Sequence, residues 1–238
     1  MKNLSPTIIL KALVGSRLYG LATEESDWDY RYVQVSPLRT VLSPFYQGKI
    51  KVTSNATEDN TTWEFRDFLR LAIKGNPSVY EALFSTIIEK PVYFPPVETL
   101  LAGRPKLLSK KAIVDAHLGY SGSQLHKMGE LSEKGGYSNN PRMRKAAMAY
   151  FRVLDQGTQL LRNRSVDPIV RGSLRDWLLE LRDNGLPQDH DIFDRELVRA
   201  KEAFVTIADT IKDFVPDLEF VEDLNYSAYL EADRRNQP

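Results

Sequence analysis

Two aspartates, Asp27 and Asp29, stand one residue apart at the start of an apolar and aromatic run that has the length of a β-strand. Side chains alternate between the two faces of a strand, so both carboxylates project from one face, with Cα atoms roughly 6.5–7 Å apart. Two carboxylates at this separation repel each other unless a positive charge lies between them. Mg²⁺ prefers oxygen ligands, commonly one or two carboxylates together with phosphate oxygens and water. The pair is therefore a candidate metal site.

The dipeptide Gly15-Ser16 ends a preceding apolar run, and ten residues separate it from Asp27. Glycine lets a ligand approach the backbone closely, and the amides that open a helical turn point toward an anion. Each motif alone is common in turns and on edge strands. Their order and spacing between two strand-like runs favour a catalytic site, whose chemistry would be metal-assisted nucleotidyl transfer.

Gly-Ser, ten intervening residues and Asp-x-Asp resemble the signature of the nucleotidyltransferases of the DNA polymerase beta superfamily. The longer strings Gly-Ser-Arg-Leu-Tyr-Gly-Leu-Ala-Thr and Ser-Asp-x-Asp-Tyr-Arg are similar to a group of stand-alone bacterial and phage nucleotidyltransferases. The likeness continues at residues 68–77 and 81–84, and more loosely at 152–157 and 181–185. It spans about four fifths of the chain.

Active sites of this superfamily use a third carboxylate from a neighbouring strand. Glu58, Asp59 and Glu64 are the candidates in the segment that follows. The resemblance favours Asp59, because the acid of this group precedes an aromatic residue at about the distance that separates Asp59 from Trp63.

The resemblance also implies what each residue does. The expected catalytic and metal-binding residues are Asp27, Asp29 and Asp59. The expected nucleotide-binding residues are Gly15, Ser16, Arg17 and Lys74. Mg²⁺ (or Mn²⁺) is the expected metal and a nucleoside triphosphate the expected substrate. Asp59 is the expected general base on an acceptor hydroxyl, and Arg17 the neutralising charge on the leaving pyrophosphate.

These residues require strands to hold them, and the first part of the chain is rich in strand patterns. The predicted strands are Thr7–Val14, Trp28–Val35, 50–54, one carried by 55–62, and a final one over 87–94 that is broken by Pro91. The segment 36–49 is expected to be irregular. Amphipathic spacing predicts a helix over 64–74 and a shorter one over 78–84.

From residue 97 onward the pattern changes to helices. They are predicted at 97–102, 109–133 and 142–162, around 174–181, and along the apolar stripe 193–211; a glycine-rich loop covers 135–141. The predicted fold is an α/β (α+β) polymerase-beta-like palm with a mixed sheet, followed by an all-helical C-terminal domain. The expected divisions are a catalytic domain at 1–105, a helical domain at 106–215 and a loosely packed tail at 216–238.

Composition limits the partners. The 238 residues carry 32 Lys and Arg against 32 Asp and Glu, so the whole molecule is not an electrostatic trap for nucleic acid, and a polyanion must be met locally. Basic clusters at 104–111 and 139–145 are candidates for such contacts. There is no cysteine, no 18-residue apolar run and no basic-then-apolar leader, which predicts a cytoplasmic protein with no membrane partner.

The acceptor of the nucleotide is open at this stage. An RNA 3′ end, such as that of tRNA, is the first expectation, because members of this group resemble RNA repair and end-addition enzymes. Protein nucleotidylation, as in AMP-transferring antitoxins, is the second, and a small molecule is the third. A catalytically silent nucleotide-binding module is the remaining alternative, since the segment around Asn60 is less apolar than a central strand usually is.

Overall fold

The structure is a computed structural model that describes residues 5–46, 51–54, 58–133, 140–187 and 189–236. Its described strands form one five-stranded mixed sheet with the order β3-β4-β2-β1-β5. They are β1 (Thr7–Val14), β2 (Trp28–Val35), β3 (Lys51–Ser54), β4 (Glu58–Glu64) and β5 (Ile88–Glu89). β2 and β4 pair in parallel, and the other neighbours are antiparallel. The mixed sheet predicted from the sequence is confirmed.

The two faces of the sheet differ in what covers them. On one face, Val33 and Val35 of β2 are buried. On the same face, the ring of Trp63 in β4 lies 5.8 Å from that of Phe68, between centroids. Phe68 belongs to α3 (Phe65–Ile73), so this helix covers the face. Alternation along β2 places Asp29 on this side of the sheet.

The first half of the chain also contains five helices in its described part. Besides α3, they are α1 (Gly15–Tyr19), α2 (Leu38–Val41), α4 (Pro77–Leu83) and α5 (Pro95–Ala102). The side chain of Asn76 caps α4 by accepting a hydrogen bond from the Val79 amide at 3.2 Å, and Pro77 occupies the first helical position. The irregular segment predicted at 36–49 contains the short helix α2, while residues 47–49 lie outside the described part.

The predicted final strand at 87–94 is wrong in its length. Only Ile88 and Glu89 pair with β1. Pro91 follows two residues later, and a proline has no N–H to continue the ladder of hydrogen bonds. A short edge strand therefore closes the sheet.

The second half of the chain is helical in all its described elements after a 3₁₀ turn at Arg104–Leu107. Its helices are α6 (Lys110–Glu133), α7 (Pro141–Asn163), α8 (Gly172–Asp183) and α9 (His190–Thr210). Each agrees with a predicted helix within a few residues. Most of the loop predicted at 135–141 lies outside the described residues. The boundary predicted at residue 105 stays a prediction.

The expectation of a loosely packed tail after residue 215 is wrong. Residues Leu218–Asn236 form a further helix, α10, which packs back on the first half of the chain against α2, α3 and α5. Leu224, Ala228 and Ala232 are buried at four-residue spacing, which is the apolar stripe of a helix. The acidic residues that precede this stripe, Glu219, Glu222 and Asp223, diluted its signal in the sequence. Asp217 fixes the start of the helix by accepting a hydrogen bond from the Phe220 amide at 3.0 Å.

Candidate active site

Gly15 lies directly against the side chain of Asp29. β1 ends at Val14, whose Cα pairs with that of Asp29 on β2, and α1 begins at Gly15. Gly15 has φ +74°, and a Cβ added there would lie 2.0 Å from the Asp29 Oδ2. Both the left-handed backbone and the carboxylate require glycine at this position. The Asp29 carboxylate therefore lies directly against the start of α1.

Asp59 is the direct neighbour of Asp29 in the parallel pair β2–β4. Paired residues on neighbouring strands share a face, so the two carboxylates project from the same side, with strands about 4.8 Å apart. Glu58 pairs with Trp28 and points to the opposite face, where it accepts a hydrogen bond from the Asn60 side chain at 3.0 Å. Of the three predicted candidates for the third carboxylate, the structure places Asp59 beside Asp29.

Glu64, the last of those candidates, has a structural role at the far end of β4. Its buried carboxylate accepts hydrogen bonds from the Ser36 amide at 2.9 Å, the Ser36 hydroxyl at 2.6 Å and the Tyr229 hydroxyl at 2.8 Å. Tyr229 lies on α10. The residue thus joins the sheet to the C-terminal helix and is unavailable to the site.

Asp27 is exposed just before β2, and Arg17 holds the loop that presents it. The Arg17 guanidinium donates to the Ser26 carbonyl at 3.1 and 2.5 Å and to the Glu24 carbonyl at 3.3 Å. It also lies 4.3 Å from the ring centroid of Trp28. These contacts hold the loop before Asp27, and the nucleotide-binding role expected of Arg17 stays a prediction.

Two other predicted nucleotide-binding residues have free polar groups. The Ser16 hydroxyl is at the start of α1 and has no hydrogen-bond partner among the described residues. Lys74 is exposed at the end of α3, and within the described ranges its ammonium has neither a hydrogen bond nor an ion pair. The next residue, Gly75, is in the left-handed region and packs against α6, where an added Cβ would lie 2.3 Å from the Ala112 carbonyl oxygen.

The charges around Asp29 disfavour its ionised form. Burial raises the pKa of Asp29 above its usual range, and the negative charges of Asp59, Asp27 and Glu81 raise it further. Arg31 acts in the opposite direction, and its guanidinium also donates to the Asp59 carbonyl at 3.4 Å. These three carboxylates therefore lie within electrostatic range of Asp29.

The donor set suits a hard divalent metal, since carboxylate oxygens are the ligands that Mg²⁺ and Mn²⁺ prefer. In the described parts of the chain, however, no three His, Cys, Asp or Glu side chains converge closely enough to form a metal site as they stand. The pairing of Asp29 with Asp59 supports a fit, because burial and the negative charges of neighbouring carboxylates both raise the pKa of Asp29, and a bound cation would offset those charges.

A buried ion pair joins the two halves of the chain next to this site. Arg152 of α7 donates to Glu81 of α4 at 2.5 Å, and their side chains are only 15% and 10% exposed. The Arg152 guanidinium also lies 3.9 Å from the ring centroid of Tyr19, the last residue of α1. Burial together with Glu81 raises the pKa of Tyr19 well above its usual value.

Sequence reasoning did not assign a role to this pair. Glu81 and Arg152 begin two of the stretches on which the family resemblance depends, 81–84 and 152–157, and that was the available signal. Only the fold shows that the two stretches meet.

The second half of the chain also contacts the backbone that follows α1. The Val170 amide donates to the Tyr19 carbonyl at 3.1 Å, and Arg182 of α8 donates to the Leu21 carbonyl at 2.9 Å. Together with Arg152, these contacts hold the end of α1 from three positions in the helical half. The turn that begins with Gly15 is thereby fixed at both ends.

A mixed sheet with carboxylates on two adjacent parallel strands, next to a Gly-Ser turn that opens a helix, defines the polymerase-beta-like α/β fold. The model of the RNA repair pathway DNA polymerase beta family (RlaP) matches residues 2–224, and the chain belongs to that family. No curated protein matches the chain significantly. None of the described helices has the length and apolar character needed to cross a membrane.

Proposed function

We propose that this protein is a nucleotidyltransferase that moves a nucleoside monophosphate from a nucleoside triphosphate to the 3′-terminal hydroxyl of an RNA, such as a tRNA. In this reaction the acceptor oxygen forms a bond with the α-phosphorus, the bond to the β-phosphate bridging oxygen breaks, and pyrophosphate leaves. The observation that carries the proposal is the side-by-side placement of Asp29 and Asp59, with Gly15 against Asp29, in a chain of an RNA repair family.

In the proposed site, Asp27, Asp29 and Asp59 would hold Mg²⁺ (or Mn²⁺). Such a metal neutralises phosphate charge and lowers the pKa of a bound hydroxyl. Asp59 accepts the proton of the acceptor hydroxyl as general base. The charge repulsion at Asp29 supports this assignment, because it favours cation binding.

The triphosphate is proposed to bind at the start of α1. The backbone amides after Gly15 and the free hydroxyl of Ser16 hydrogen-bond its oxygens, and the +74° φ of Gly15 sets their direction. Arg17 positions Asp27 through the loop before β2 and adds positive charge near the leaving pyrophosphate. Lys74, the exposed residue that ends α3, is proposed to contact a phosphate or the sugar.

The family's place in RNA repair supports RNA as the acceptor. We propose a cytoplasmic location, which the absence of cysteine favours.

The test is incorporation of label from each of the four α-labelled ribonucleoside triphosphates, with Mg²⁺ or Mn²⁺, into tRNA and into total cell protein. Label on RNA that disappears in the double variant Asp27→Asn/Asp29→Asn supports the proposal and identifies the base. Asp115→Asn is the matched control, because this exposed carboxylate pairs with Lys111 on the surface of α6. Metal-dependent label on a protein band alone, or no such label on either acceptor, contradicts it.

A further inference from the structure

A stripe of three aromatic side chains runs along the face of β2 opposite to Asp29. Trp28, Tyr30 and Tyr32 alternate along β2 with the residues of the face that carries Asp29, so the three rings project from the opposite side of the strand. The rings of Trp28 and Tyr30 lie 6.2 Å apart at an interplanar angle of 6°, and those of Tyr30 and Tyr32 are 6.3 Å apart. The three rings therefore form a continuous stripe from Trp28 to Tyr32.

These rings remain accessible although β2 is the central strand of the sheet. Trp28 is 43% exposed, and Tyr30 and Tyr32 are partly exposed. On the covered face of the same strand, by contrast, Val33 and Val35 are buried. Large aromatic residues at the centre of a sheet are normally buried. Their exposure here indicates a surface that binds a ligand.

Two cations lie over the stripe. The Arg17 guanidinium is 4.3 Å from the Trp28 ring centroid, and the Lys11 ammonium is 4.2 Å from that of Tyr30. Lys11 also pairs with Glu89 at 3.1 Å, which leaves the surface with little net charge. Such a surface binds a ligand by stacking and cation–π contacts rather than by a strong electrostatic attraction.

Unpaired nucleobases match this chemistry. Single-stranded nucleic acid binds sequence-tolerantly when successive bases stack on aromatic side chains and a few cations meet the backbone. The position of the stripe agrees with such a ligand, because Trp28 lies between Asp27 and Asp29 in the chain. A single-stranded RNA whose bases stack from Tyr32 to Trp28 therefore approaches the N-terminal end of β2, where the candidate catalytic carboxylates lie.

We propose that Trp28, Tyr30 and Tyr32 form a stacking platform for the unpaired end of the RNA acceptor. This inference rests on the proposed function for the identity of its ligand. The platform binds bases by stacking and directs the terminal nucleotide toward Asp27 and Asp29 at the N-terminal end of β2.

The test is the affinity for a dye-labelled, 12-nucleotide single-stranded RNA, measured by anisotropy with no nucleotide and no divalent metal. Base stacking is worth about 1–3 kcal/mol per base, so Trp28→Leu and Tyr32→Leu should each weaken binding about tenfold. Trp28→Tyr keeps an aromatic ring and should restore most of the affinity. Tyr226→Leu is the matched control, because this tyrosine is 65% exposed on α10, away from the stripe.

The same RNA annealed to its complement should bind more weakly, since paired bases are not free to stack on the protein. With two cations on the surface, the slope of log affinity against log salt should be about −1.4. Equal binding by wild type, Trp28→Leu and Tyr32→Leu, or equal binding of single strand and duplex, overturns the platform. A slope steeper than about −3.5, which corresponds to five phosphate contacts, also overturns it, because a basic patch elsewhere then carries the binding.

Failure of this inference is distinguishable from failure of the proposed function. Asp27→Asn/Asp29→Asn should bind the RNA like wild type and transfer no label. Stacking-dependent binding without any transfer by wild type keeps the platform and refutes the enzyme. Transfer to RNA that is insensitive to Trp28→Leu and Tyr32→Leu keeps the enzyme and refutes the platform.

Discussion

The buried ion pair between Arg152 and Glu81 is expected to contribute to the stability of the folded chain by joining its two halves. In Arg152→Met, the apolar stem is retained and the charge is lost. Glu81 then keeps a carboxylate that is only 10% exposed and has lost its cationic partner. Breaking a buried pair in this way costs about 3–5 kcal/mol, since the desolvation of the remaining charge is no longer offset.

The companion variant Glu81→Gln/Arg152→Met leaves no uncompensated charge and should cost less than the sum of the two single changes. We expect a coupling energy of about 2–3 kcal/mol, which is the upper range for directly contacting residues. The free energy of unfolding is measured by urea titration at pH 7 for wild type, both single variants and the double variant.

The exposed pair between Lys111 and Asp115 on α6 provides the control. Its side chains are 85% and 62% exposed, so Lys111→Met should cost no more than about 0.5 kcal/mol. The reasoning is refuted if Arg152→Met costs as little as Lys111→Met, or if the single changes at Glu81 and Arg152 are additive.

Three further predictions concern the site, the core and the C-terminal helix. Gly15→Ala should lower transfer activity at least about 100-fold, because its methyl group displaces the Asp29 carboxylate, and should cost about 1–2 kcal/mol of stability for the left-handed backbone. Burial lowers the pKa of His117 to about 4, so its ring is neutral in the folded protein and protonated in the unfolded chain below pH 6.5. The free energy of unfolding should therefore fall by up to about 3 kcal/mol between pH 6.5 and 4, and this fall should disappear in His117→Leu. Tyr229→Phe should cost about 1.5–3 kcal/mol in urea unfolding, because the buried Glu64 carboxylate loses a donor.

Each of these has an outcome that contradicts it. An active Gly15→Ala variant would show that Asp29 need not lie against α1. An unchanged acid dependence in His117→Leu would assign the effect to other groups. Equal stability losses in Tyr229→Phe and in Tyr226→Phe, whose hydroxyl is on an exposed side chain, would remove the proposed anchor of α10.

The sequence predicted the elements that carry strong local patterns. β1 and β2 have their predicted bounds, because runs rich in apolar and aromatic residues are bordered by the glycine turn and by polar loops. The strand predicted over 87–94 was too long, because the apolar residues after the break at Pro91 do not continue the ladder with β1. The helix α10 was missed because an acidic first turn and a half precede its buried residues, two of the four being alanines, and because its burial depends on docking against α3 and α5.

The candidate site was predictable to the extent that it is local in sequence. Gly15, Asp27 and Asp29 follow from one motif, and Asp59 followed from its distance to an aromatic residue. Its placement next to Asp29 depends on a parallel strand register that no local pattern encodes. The contact between Arg152 and Glu81 joins residues that are 71 positions apart, and such a contact is specified by the whole fold.

The central claim is that Asp59 completes a catalytic set with Asp27 and Asp29. The most direct measurement compares the rate of nucleotide transfer to an RNA 3′ end by Asp59→Asn and by Glu58→Gln, neighbouring acids on opposite faces of β4. Loss of a catalytic base predicts a rate at least about 100-fold lower for Asp59→Asn and a rate close to wild type for Glu58→Gln. Wild-type rates in Asp59→Asn, or a greater loss in Glu58→Gln, would contradict the account.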